Sequence, residues 1–460
     1  MTQPNQVIVI GAGISGLACA YRLKRLGISA TVLEANDRAG GLVGTVEKDG
    51  FLFESGPQSF QGTDVLLGLI RDLGIEGDLL EANPQAPRYV LRAGRLQQIP
   101  MSPQGLLVSS LLGVGSRWKI ASEPFRRTQP PNEEESVAAF VRRKFGHEIL
   151  EYLVSPFVSG VYAGDPEKLS LRAAFPSLDE WEREFGSVLR GAMKSRPPKE
   201  ERKGPPPLCS FRRGLAMLMQ TLGESLGEGL QLRTGAATVN RTEQPKGNGY
   251  EVSFARETQS KTIRARAVVV ATPAYVASHL VQALAPALAQ TLSGIAYAPV
   301  AVIAAGYYAR QFPQAPDGFG FLVPRTERIR TLGTVWNSSL FPGRAPNESV
   351  VMTSFAGGAT DPEMVEKPEA ELAGIVAGEN ARILGVTGPP VAIVVWKYGR
   401  ALPQYNLGHG HLIGAIREGE RATPGLFFSG NYLEGPAIGK CVEQAFRTAD
   451  AVRDHLQLPA

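Results

Sequence analysis

The sequence predicts an α/β fold with added α+β parts, built around a discontinuous parallel sheet. Three patterns indicate this class. A strand–helix–strand unit with a glycine-rich turn opens the chain. The continuous apolar run Val268–Ala271 is typical of a buried parallel strand, and strand Leu426–Ser429 followed by helix Gly439–Leu456 closes the chain. Because these pieces are far apart in sequence, we expect other units to be inserted between them.

The opening unit consists of strand Val7–Ile10, a helix from about Ile14 to Leu26, and strand Ala30–Leu33. Apolar residues at helical spacing predict the helix, and Gly27 is a typical terminator after it. A unit of this kind places the turn before the helix at the carboxyl end of the first strand, where open α/β sheets bind ligands.

That turn carries the pattern GxGxxG, which binds a dinucleotide when it lies between a strand and a helix. Gly11 permits the tight turn, Gly13 lets the backbone approach a pyrophosphate, and Gly16 lets helix and strand pack closely. The helix N-terminus offers free N–H groups and a positive dipole end to the phosphates. Glu34 ends the second strand and is placed to accept a hydrogen bond from a ribose hydroxyl. The sequence therefore predicts a Rossmann-type dinucleotide site.

The rest of the chain divides into a helix-rich and a strand-rich stretch. Helical patterns dominate residues 96–207, for example Glu133–Phe145, where Asn132 and Glu135 suit a capping box. Residues Ser195–Leu208 are rich in Pro, Lys, Arg and Glu, which predicts a mobile loop or linker. The strands predicted after the linker, besides Val268–Ala271, are Tyr250–Phe254, Val300–Ala305, Gly333–Trp336, Val350–Phe355 and Val391–Trp396.

The composition is typical of a soluble globular protein with two or three structural units. The chain has 460 residues, 43% hydrophobic and 20% charged, and a formal net charge of +4. Lys and Arg are scattered along it, so we expect no nucleic-acid partner. It shows no signal or transit peptide pattern and no run of 18 apolar residues, so we expect neither export nor a membrane span.

The cysteines and histidines predict no metal site. Cys19, Cys209 and Cys441 lie far apart without a CxxC pattern, which favours a reduced, cytoplasmic setting. His409 and His411 are the one close histidine pair, and we interpret them as ordinary loop residues rather than ligands.

Three segments resemble amine-oxidase-like flavoproteins: Leu33–Gly41 (LEANDRAGG), Val268–Pro273 (VVVATP) and Gly425–Gly439. The resemblance implies FAD as the cofactor. It implies that the first two segments lie against the dinucleotide, and that the third brings a helix N-terminus beneath the isoalloxazine ring, whose reduced form is negatively charged at that edge.

Longer segments narrow the resemblance to the oxygen-dependent protoporphyrinogen oxidase family, over essentially the whole chain. They are 50–60 (GFLFESGPQSF), 86–91 (APRYVL), 155–166 (SPFVSGVYAGDP), 338–346 (SSLFPGRAP) and the tail 430–441. The resemblance implies a six-electron oxidation of protoporphyrinogen IX in haem or tetrapyrrole biosynthesis, with O2 as acceptor and hydrogen peroxide as product. The flavin takes the hydride in such enzymes, so no catalytic side chain is assigned, and the protein orients substrate and excludes water.

The same resemblance implies the binding residues. For noncovalent FAD they are Gly11, Ala12, Gly13, Ile14, Ser15, Gly16, Glu34, Ala35, Arg38, Gly41, Leu42, Gly56, Pro57, Gln58, Ser59, Val239, Trp396, Pro436, Ala437 and Ile438. For the substrate they are Arg88, which would pair with a propionate, Phe341, which would stack on a pyrrole ring, and Leu322 and Gly164, which would line the pocket. A surface salt bridge for Arg88 and plain core packing for Phe341 remain open.

Two residues depart from the family pattern and a third has a rival role. Pro436 stands where relatives commonly have Val and has no backbone N–H to offer the flavin. Leu42 replaces an aromatic residue found in some relatives. Cys441 is expected to be a buried structural thiol rather than a covalent flavin attachment.

We expect three domains. Residues 1–60, 208–275 and 420–460 form the FAD-binding domain, 61–95 and 276–419 the substrate-binding domain, and 96–207 a helical domain. An apolar and basic patch in the helical domain suits the inner face of the cell membrane as a peripheral contact, and core packing is its alternative. The patch consists of Leu106, Leu107, Val108, Leu111, Leu112 and Trp118 with Arg117, Lys119, Arg126 and Arg127.

Other functions remain open alongside the main one. The nearest is coproporphyrinogen III oxidation on the same fold, which differs in the number of propionates to be accommodated. More distant are an amine oxidase or carotenoid desaturase, which lack the 86–91 and 155–166 segments, and a noncatalytic flavin-binding subunit. The sequence leaves a homodimer open.

Overall fold

The computed structural model describes residues 6–195, 204, 206–244, 247–256 and 259–457. The strands are β1 Val7–Ile10, β2 Ala30–Leu33, β3 Thr45–Lys48, β4 Phe51–Glu54, β5 Phe60–Gln61, β6 Leu79–Glu81, β7 Arg88–Arg92, β8 Arg95–Gln98, β9 Leu208–Phe211, β10 Leu230–Gln231, β11 Thr234–Gln244, β12 Gly247–Arg256, β13 Gln259–Ala265, β14 Ala267–Val270, β15 Tyr297–Tyr308, β16 Gly320–Leu322, β17 Thr331–Val335, β18 Ser349–Gly357, β19 Ala392–Pro403 and β20 Leu426–Phe428. The helices are α1 Ile14–Arg25, α2 Asp64–Asp72, α3 Pro103–Val108, α4 Val114–Ser122, α5 Val137–Lys144, α6 His147–Ile149, α7 Ser155–Tyr162, α8 Leu171–Ala174, α9 Pro176–Phe185, α10 Val188–Lys194, α11 Ala216–Leu226, α12 Ala274–Val281, α13 Pro286–Ser293, α14 Asn337–Leu340, α15 Glu369–Leu384, α16 His409–Ala422, α17 Asn431–Glu434 and α18 Ile438–His455.

A five-stranded parallel sheet is assembled from distant parts of the chain, in the order β10-β2-β1-β14-β20. Val9 of β1 lies opposite Val32 on one side and Val269 on the other. Every residue of β1 and β14 is buried, as expected for parallel strands covered by helices on both faces. The predicted opening strands are confirmed, and the predicted strands at Val268 and Leu426 occur in the same sheet.

A mixed seven-stranded sheet forms the second layer, in the order β19-β15-β18-β17-β16-β7-β8. All neighbouring strands run antiparallel except β16 and β7, which are parallel. Helix α15 packs on one face through Leu372 and Val376, against Ala301 and Ile303 of β15. The opposite face carries Trp396 of β19 and Leu322 of β16, two residues of the candidate site. These mixed sheets confirm the α/β class with added α+β parts.

Helices α3–α10 form a separate helical layer around a core that includes Val137, Phe140 and Val158. Beside this core, the buried amine of Lys144 lies 3.0 Å from Glu182 and 3.3 Å from Glu123. Burial alone would raise the pKa of Glu182, but hydrogen bonds from Arg143, Thr128 and Lys144 outweigh burial and hold that pKa at about 2. An ionic cluster therefore ties the helical layer together.

Some local predictions are wrong. The Asn132–Glu135 capping box does not form, because Ser136 caps α5 by accepting a hydrogen bond from the Ala139 N–H at 3.1 Å. His409 and His411 are not loop residues, since they lie in the first turn of α16. Within the ranges described, no cluster of three metal-ligating side chains occurs.

The apolar patch predicted in the helical layer is only partly exposed. Leu111 and Leu112 are buried in the structure, which excludes them from a surface patch, whereas Val108 is 80% and Trp118 72% exposed. In the described part of the chain, no helix has the length and hydrophobicity needed to cross a bilayer. Of the predicted linker Ser195–Leu208, residues 196–203 and 205 lie outside the described residues.

Candidate active site

The glycine turn after β1 has the geometry that the motif predicts. Gly11 has φ +102°, and a Cβ there would lie 2.8 Å from the Ala271 carbonyl oxygen. A Cβ on Gly16 would lie 1.9 Å from the Gly11 carbonyl oxygen, so this glycine is required for the turn to close. By contrast, a Cβ on Gly13 would meet no described atom within 4 Å. The space above Gly13 is therefore available to a phosphate.

Helix α1 begins beside this space with its first N–H groups uncapped. Gly13 is its N-cap, and no side chain of the described residues caps it. The backbone N–H groups of the first turn and the positive end of the helix dipole are thus free to bind an anion.

Glu34 holds the turn from the end of β2. Its Oε2 accepts the Ala12 N–H at 2.7 Å, and its Oε1 accepts the Asn36 N–H at 2.9 Å and the Asn36 side-chain amide at 2.6 Å. A carboxylate has about four acceptor positions. The carboxylate is therefore oriented by the protein and keeps acceptor capacity for a ribose hydroxyl.

The loop after β2 closes over the same turn. The Arg38 guanidinium donates to the carbonyl oxygens of Gly41 at 2.9 Å and Val43 at 3.0 Å, and the Gly40 N–H donates to the Ala12 carbonyl oxygen at 2.8 Å. The structure thus shows Arg38 organising the loop.

A second predicted cofactor segment meets this loop. A Cβ on Gly56 would lie 2.3 Å from the Leu42 carbonyl oxygen, so the two segments approach as closely as glycine allows. The Tyr398 hydroxyl donates to the Ser55 carbonyl oxygen at 3.0 Å, which fixes the segment to β19.

A second helix, α18, packs against α1 and begins at Ile438. Ala437 is the N-cap, and no side chain caps the helix within the described ranges. The strand-to-helix segment before it is held by the His409 ring, whose Nε2 lies 3.0 Å from the Tyr432 carbonyl oxygen, and by the Tyr405 hydroxyl, which donates to the Asn431 carbonyl oxygen. Sequence reasoning missed both residues as supports of this segment. Neither contact has a local sequence signal.

Cys441 lies in the first turn of α18. It is buried and free, and burial raises the pKa of its thiol to about 11. At neutral pH it is an uncharged thiol, as predicted for a structural residue.

One row of residues on a face of the seven-stranded sheet contains a predicted flavin contact, Trp396, and a predicted substrate contact, Leu322. Directly opposite residues of paired strands share a face. The row consists of Trp396, Val302, Phe355, Gly333, Leu322 and Val90. It spans five strand spacings, or about 24 Å. Arg88 lies on the same face as Val90, two residues earlier in β7.

Arg88 is half-buried and has no carboxylate within ion-pair distance among the described residues. Its guanidinium stacks over the Phe319 ring at 5.1 Å, and one nitrogen lies 3.5 Å from the Met101 sulfur. The salt-bridge alternative from the sequence is therefore absent from the described structure. The donors of the guanidinium remain available to a carboxylate ligand.

Leu322 and Gly164 lie where α7 meets this face. The nearest approach is at Gly160, where a Cβ would lie 2.6 Å from a terminal methyl carbon of Leu322. Gly164 is buried beyond the end of α7, and a Cβ there would lie 3.0 Å from the Gln404 side-chain oxygen. The helical layer thus closes the side of the sheet that carries Arg88.

Phe341 is 1% exposed and packs in a small cluster with Leu80, Ala82 and Leu340. The Arg344 guanidinium lies over its ring at 5.6 Å. The structure therefore shows a core aromatic at this position, and contact of Phe341 with a substrate ring stays a prediction.

The predicted cofactor residues, including those already described, fall into two groups according to their solvent exposure. Those at least partly open to solvent are Gly11, Gly13, Ile14, Ala35, Arg38, Gly41, Leu42, Gly56, Pro57, Ser59, Trp396, Pro436 and Ala437. Those that are buried are Ala12, Ser15, Gly16, Glu34, Gln58, Val239 and Ile438. The side chain of Val239 lies wholly in the core, so any contact with a cofactor would use its backbone at the edge strand β11.

These features fit a flavin dinucleotide. Open space at Gly13 and two uncapped helix N-termini suit the pyrophosphate and the ring edge that becomes negative on reduction. Glu34 suits a ribose. The fold and site define a dinucleotide-dependent oxidoreductase.

A family model supports the same class. The flavin containing amine oxidoreductase family matches residues 14–453, and the chain belongs to this family. The flavin cofactor predicted from the sequence is thereby confirmed.

Within this family the chain is similar to enzymes of tetrapyrrole metabolism. It is 36% identical to the chloroplastic protoporphyrinogen oxidase of Nicotiana tabacum, over 98% of this chain and 85% of that protein. It is 28% identical to the coproporphyrinogen III oxidase of Bacillus subtilis (strain 168), over 96% of both chains. Its fold matches a crystal structure of a putative protoporphyrinogen oxidase from Exiguobacterium sp. 255-15, with a TM-score of 0.83, 23% identity and coverage of 99% of this chain and 100% of that one. The resemblance stated from the sequence is confirmed.

Proposed function

We propose that this chain is an FAD- and O2-dependent oxidase that converts protoporphyrinogen IX to protoporphyrin IX in haem or tetrapyrrole biosynthesis. The observation that carries the proposal is Arg88, which has no carboxylate partner among the described residues and lies on the sheet face that also holds Trp396 and Leu322. A cation that no carboxylate of the described structure neutralises, beside apolar residues, suits a hydrophobic substrate that carries a carboxylate. The similarity to protoporphyrinogen oxidases supports the same substrate.

The stoichiometry follows from the substrate. Protoporphyrinogen IX loses six electrons and six protons in three two-electron steps, while three O2 are reduced to three H2O2. Bound noncovalently, FAD supplies hydride acceptance and the reaction with O2. The protein residues orient and enclose the substrate: Arg88 would hold a propionate, and Leu322 and Gly164 would line the pocket.

We assign the segments 1–60, 208–275 and 420–460 to FAD binding and 61–95 with 276–419 to substrate binding. Residues 96–207 close the pocket through α7 and reach the surface through α3 and α4. This division is supported by the parallel sheet carrying the glycine turn and the mixed sheet carrying Arg88.

Coproporphyrinogen III is the second candidate, favoured by the similarity to the Bacillus subtilis enzyme. It carries four propionates where protoporphyrinogen IX carries two. The next cation on the face of Arg88 is Arg92, which pairs with Glu148 at 3.0 Å and lies over the Tyr152 ring at 4.4 Å. Because Arg92 is already neutralised, this face favours the substrate with fewer carboxylates.

An aerobic fluorescence assay that offers both porphyrinogens separately tests the proposal. We expect protoporphyrin to form at the higher kcat/KM. Faster formation of coproporphyrin would reverse the order of the two candidates, and fluorescence from neither would contradict the proposed function.

We also propose that the helical layer attaches the enzyme to the inner face of the cell membrane from the cytoplasm. Exposed apolar side chains occur from just before α3 to just after α4: Met101 at 63%, Val108 at 80%, Val114 at 81%, Trp118 at 72% and Phe125 at 81%. Lys119, Arg126 and Arg127 are exposed in the same stretch. Apolar and basic side chains together suit an anionic lipid surface.

A further inference from the structure

Asn337 carries a buried acceptor that no described residue pairs with. It begins α14, immediately after Trp336, and is 2% exposed. Its Nδ2 donates to the Gln58 Oε1 at 2.6 Å. Its Oδ1 is buried and has no hydrogen-bond partner in the described structure. Buried polar atoms in folded proteins are generally paired, so this oxygen requires an explanation.

The orientation of the Asn337 amide is fixed by Gln58. The Gln58 Nε2 donates to the Gly56 carbonyl oxygen at 2.7 Å, which leaves its Oε1 as the acceptor facing Asn337. Turning the Asn337 amide over would bring two oxygens together. The Nδ2 therefore faces Gln58, and the Oδ1 is directed away from it.

A second buried asparagine serves as a comparison, because its side-chain amide has a purely structural role. Asn380 of α15 is also 2% exposed, on the opposite face of the sheet. Its Nδ2 donates to Ser354 at 2.9 Å, and its Oδ1 accepts from Thr334 at 3.2 Å. Both ends of Asn380 are paired within the protein, whereas one end of Asn337 is left open.

Asn337 lies between the proposed cofactor segment and the strand row that contains Arg88. Asn337 touches Gln58 of the proposed cofactor segment. It follows β17, whose Val335 lies opposite Gly320, and Gly320 in turn lies opposite Arg88. On its other side Val335 lies opposite Thr353, whose Oγ1 is likewise buried without a hydrogen-bond partner among the described residues. Thr353 thus lies in the same row as Arg88, three strands away, and Asn337 follows the member of that row in β17 by two residues.

We propose that the Asn337 Oδ1 accepts a hydrogen bond from a pyrrole N–H of the porphyrinogen and so positions the macrocycle. This inference rests on the proposed function. A porphyrinogen brings four pyrrole N–H donors into an apolar pocket, and a donor buried without an acceptor weakens binding. The Asn337 Oδ1, which accepts no hydrogen bond from the described residues, would supply such an acceptor.

The test compares Asn337→Leu with Asn380→Leu in the FAD-loaded enzyme. We expect Asn337→Leu to raise the KM for protoporphyrinogen IX about tenfold while flavin absorbance stays at the wild-type level. Asn380→Leu lowers the Tm but leaves KM within about twofold of wild type, because its hydrogen bonds are structural. Gln58→Leu, alone and combined with Asn337→Leu, shows whether Asn337 acts only by holding Gln58.

Each outcome decides the inference. A further rise in KM when Asn337→Leu is added to Gln58→Leu supports it, and no further rise overturns it. An unchanged KM in Asn337→Leu also overturns it. A loss of bound flavin without a change in KM overturns it too, because the Asn337 Oδ1 would then bind the cofactor and not the substrate. A wild-type enzyme that oxidises neither porphyrinogen removes the proposed function and this inference together, whereas an active wild type with an insensitive Asn337→Leu removes this inference alone.

Discussion

Trp396 and Leu322 lie on the same face of the seven-stranded sheet, in one row of directly opposite residues that passes through Val302, Phe355 and Gly333. Four strand spacings, or about 19 Å, separate them. The distance between the proposed flavin contact and the proposed substrate contact is therefore fixed by hydrogen-bonded strands and does not depend on the conformation of a loop.

Replacing Arg88 tests the substrate end of this row. Arg88→Ala is expected to raise KM on the order of 10- to 100-fold with FAD still bound, since it removes a charged hydrogen bond to a propionate. Steady-state kinetics and flavin absorbance measure the two effects. Arg95→Ala on the exposed neighbouring strand is the matched control. Wild-type KM in Arg88→Ala would show that the propionate assignment is wrong.

Substitutions at Gly13 and Gly16, two glycines of the same turn, are expected to have different effects. Gly13→Val should fold, with the unfolding free energy of the apoprotein changed by less than about 1 kcal/mol, yet retain no flavin, because its side chain fills the phosphate space. Gly16→Ala should destabilise the fold by more than about 4 kcal/mol, because its Cβ meets the Gly11 carbonyl oxygen. Flavin content and denaturant melts separate the two. A yellow, fully loaded Gly13→Val protein would contradict the site.

Acid should weaken the helical layer through Glu182. Its folded-state pKa of about 2 lies below the usual 4.5, so its stabilising contribution is present above pH 4.5 and is lost as the pH falls toward 2. Glu182→Gln is expected to lose on the order of 3 kcal/mol at pH 7 and to flatten the pH dependence of stability in that window. Urea melts across the window measure this, with Glu180→Gln on the same helix as control. An unchanged pH slope in Glu182→Gln would refute the ionic cluster as its source.

The proposed lipid contact predicts a loss of vesicle binding on polar substitution. Trp118→Ser combined with Phe125→Ser should reduce affinity for anionic vesicles at least tenfold, since both side chains are largely exposed to the proposed lipid surface. Tyr308→Ser, at an exposed aromatic outside the helical layer, is the control. Co-sedimentation measures binding. Equal sedimentation of the double variant and wild type would argue against this surface.

The local parts of the fold could be predicted from the sequence, whereas contacts between distant segments could not. The glycine turn was predictable because Gly11, Gly13 and Gly16 act within one strand–helix unit. The pairing of Asn337 with Gln58 joins residues 279 positions apart, and neither lies in a periodic pattern. The contacts that support the segment before α18 join residues 23 and 26 positions apart, which is also beyond the reach of a local pattern.

Where the prediction of a side chain's burial is wrong or left open, the physical cause is the same. Leu111 and Leu112 belong to an apolar stretch like their exposed neighbour Val108, and only the packing of the helical layer decides which of them are buried. Phe341 packs against Leu80 of β6, Ala82 just after that strand and Leu340, and local sequence does not reveal the contacts with Leu80 and Ala82. Tertiary packing, and not the local sequence pattern, determines whether these side chains are buried.

The most direct test of the account is an anaerobic half-reaction. Purified protein loaded with FAD is mixed with protoporphyrinogen IX in the absence of O2, and flavin absorbance and porphyrin fluorescence are followed together. We expect the flavin absorbance to bleach as porphyrin fluorescence appears, and to return when O2 is admitted. Protein that cannot be loaded with flavin, or loaded protein whose flavin stays oxidised in the presence of porphyrinogen, would contradict the account.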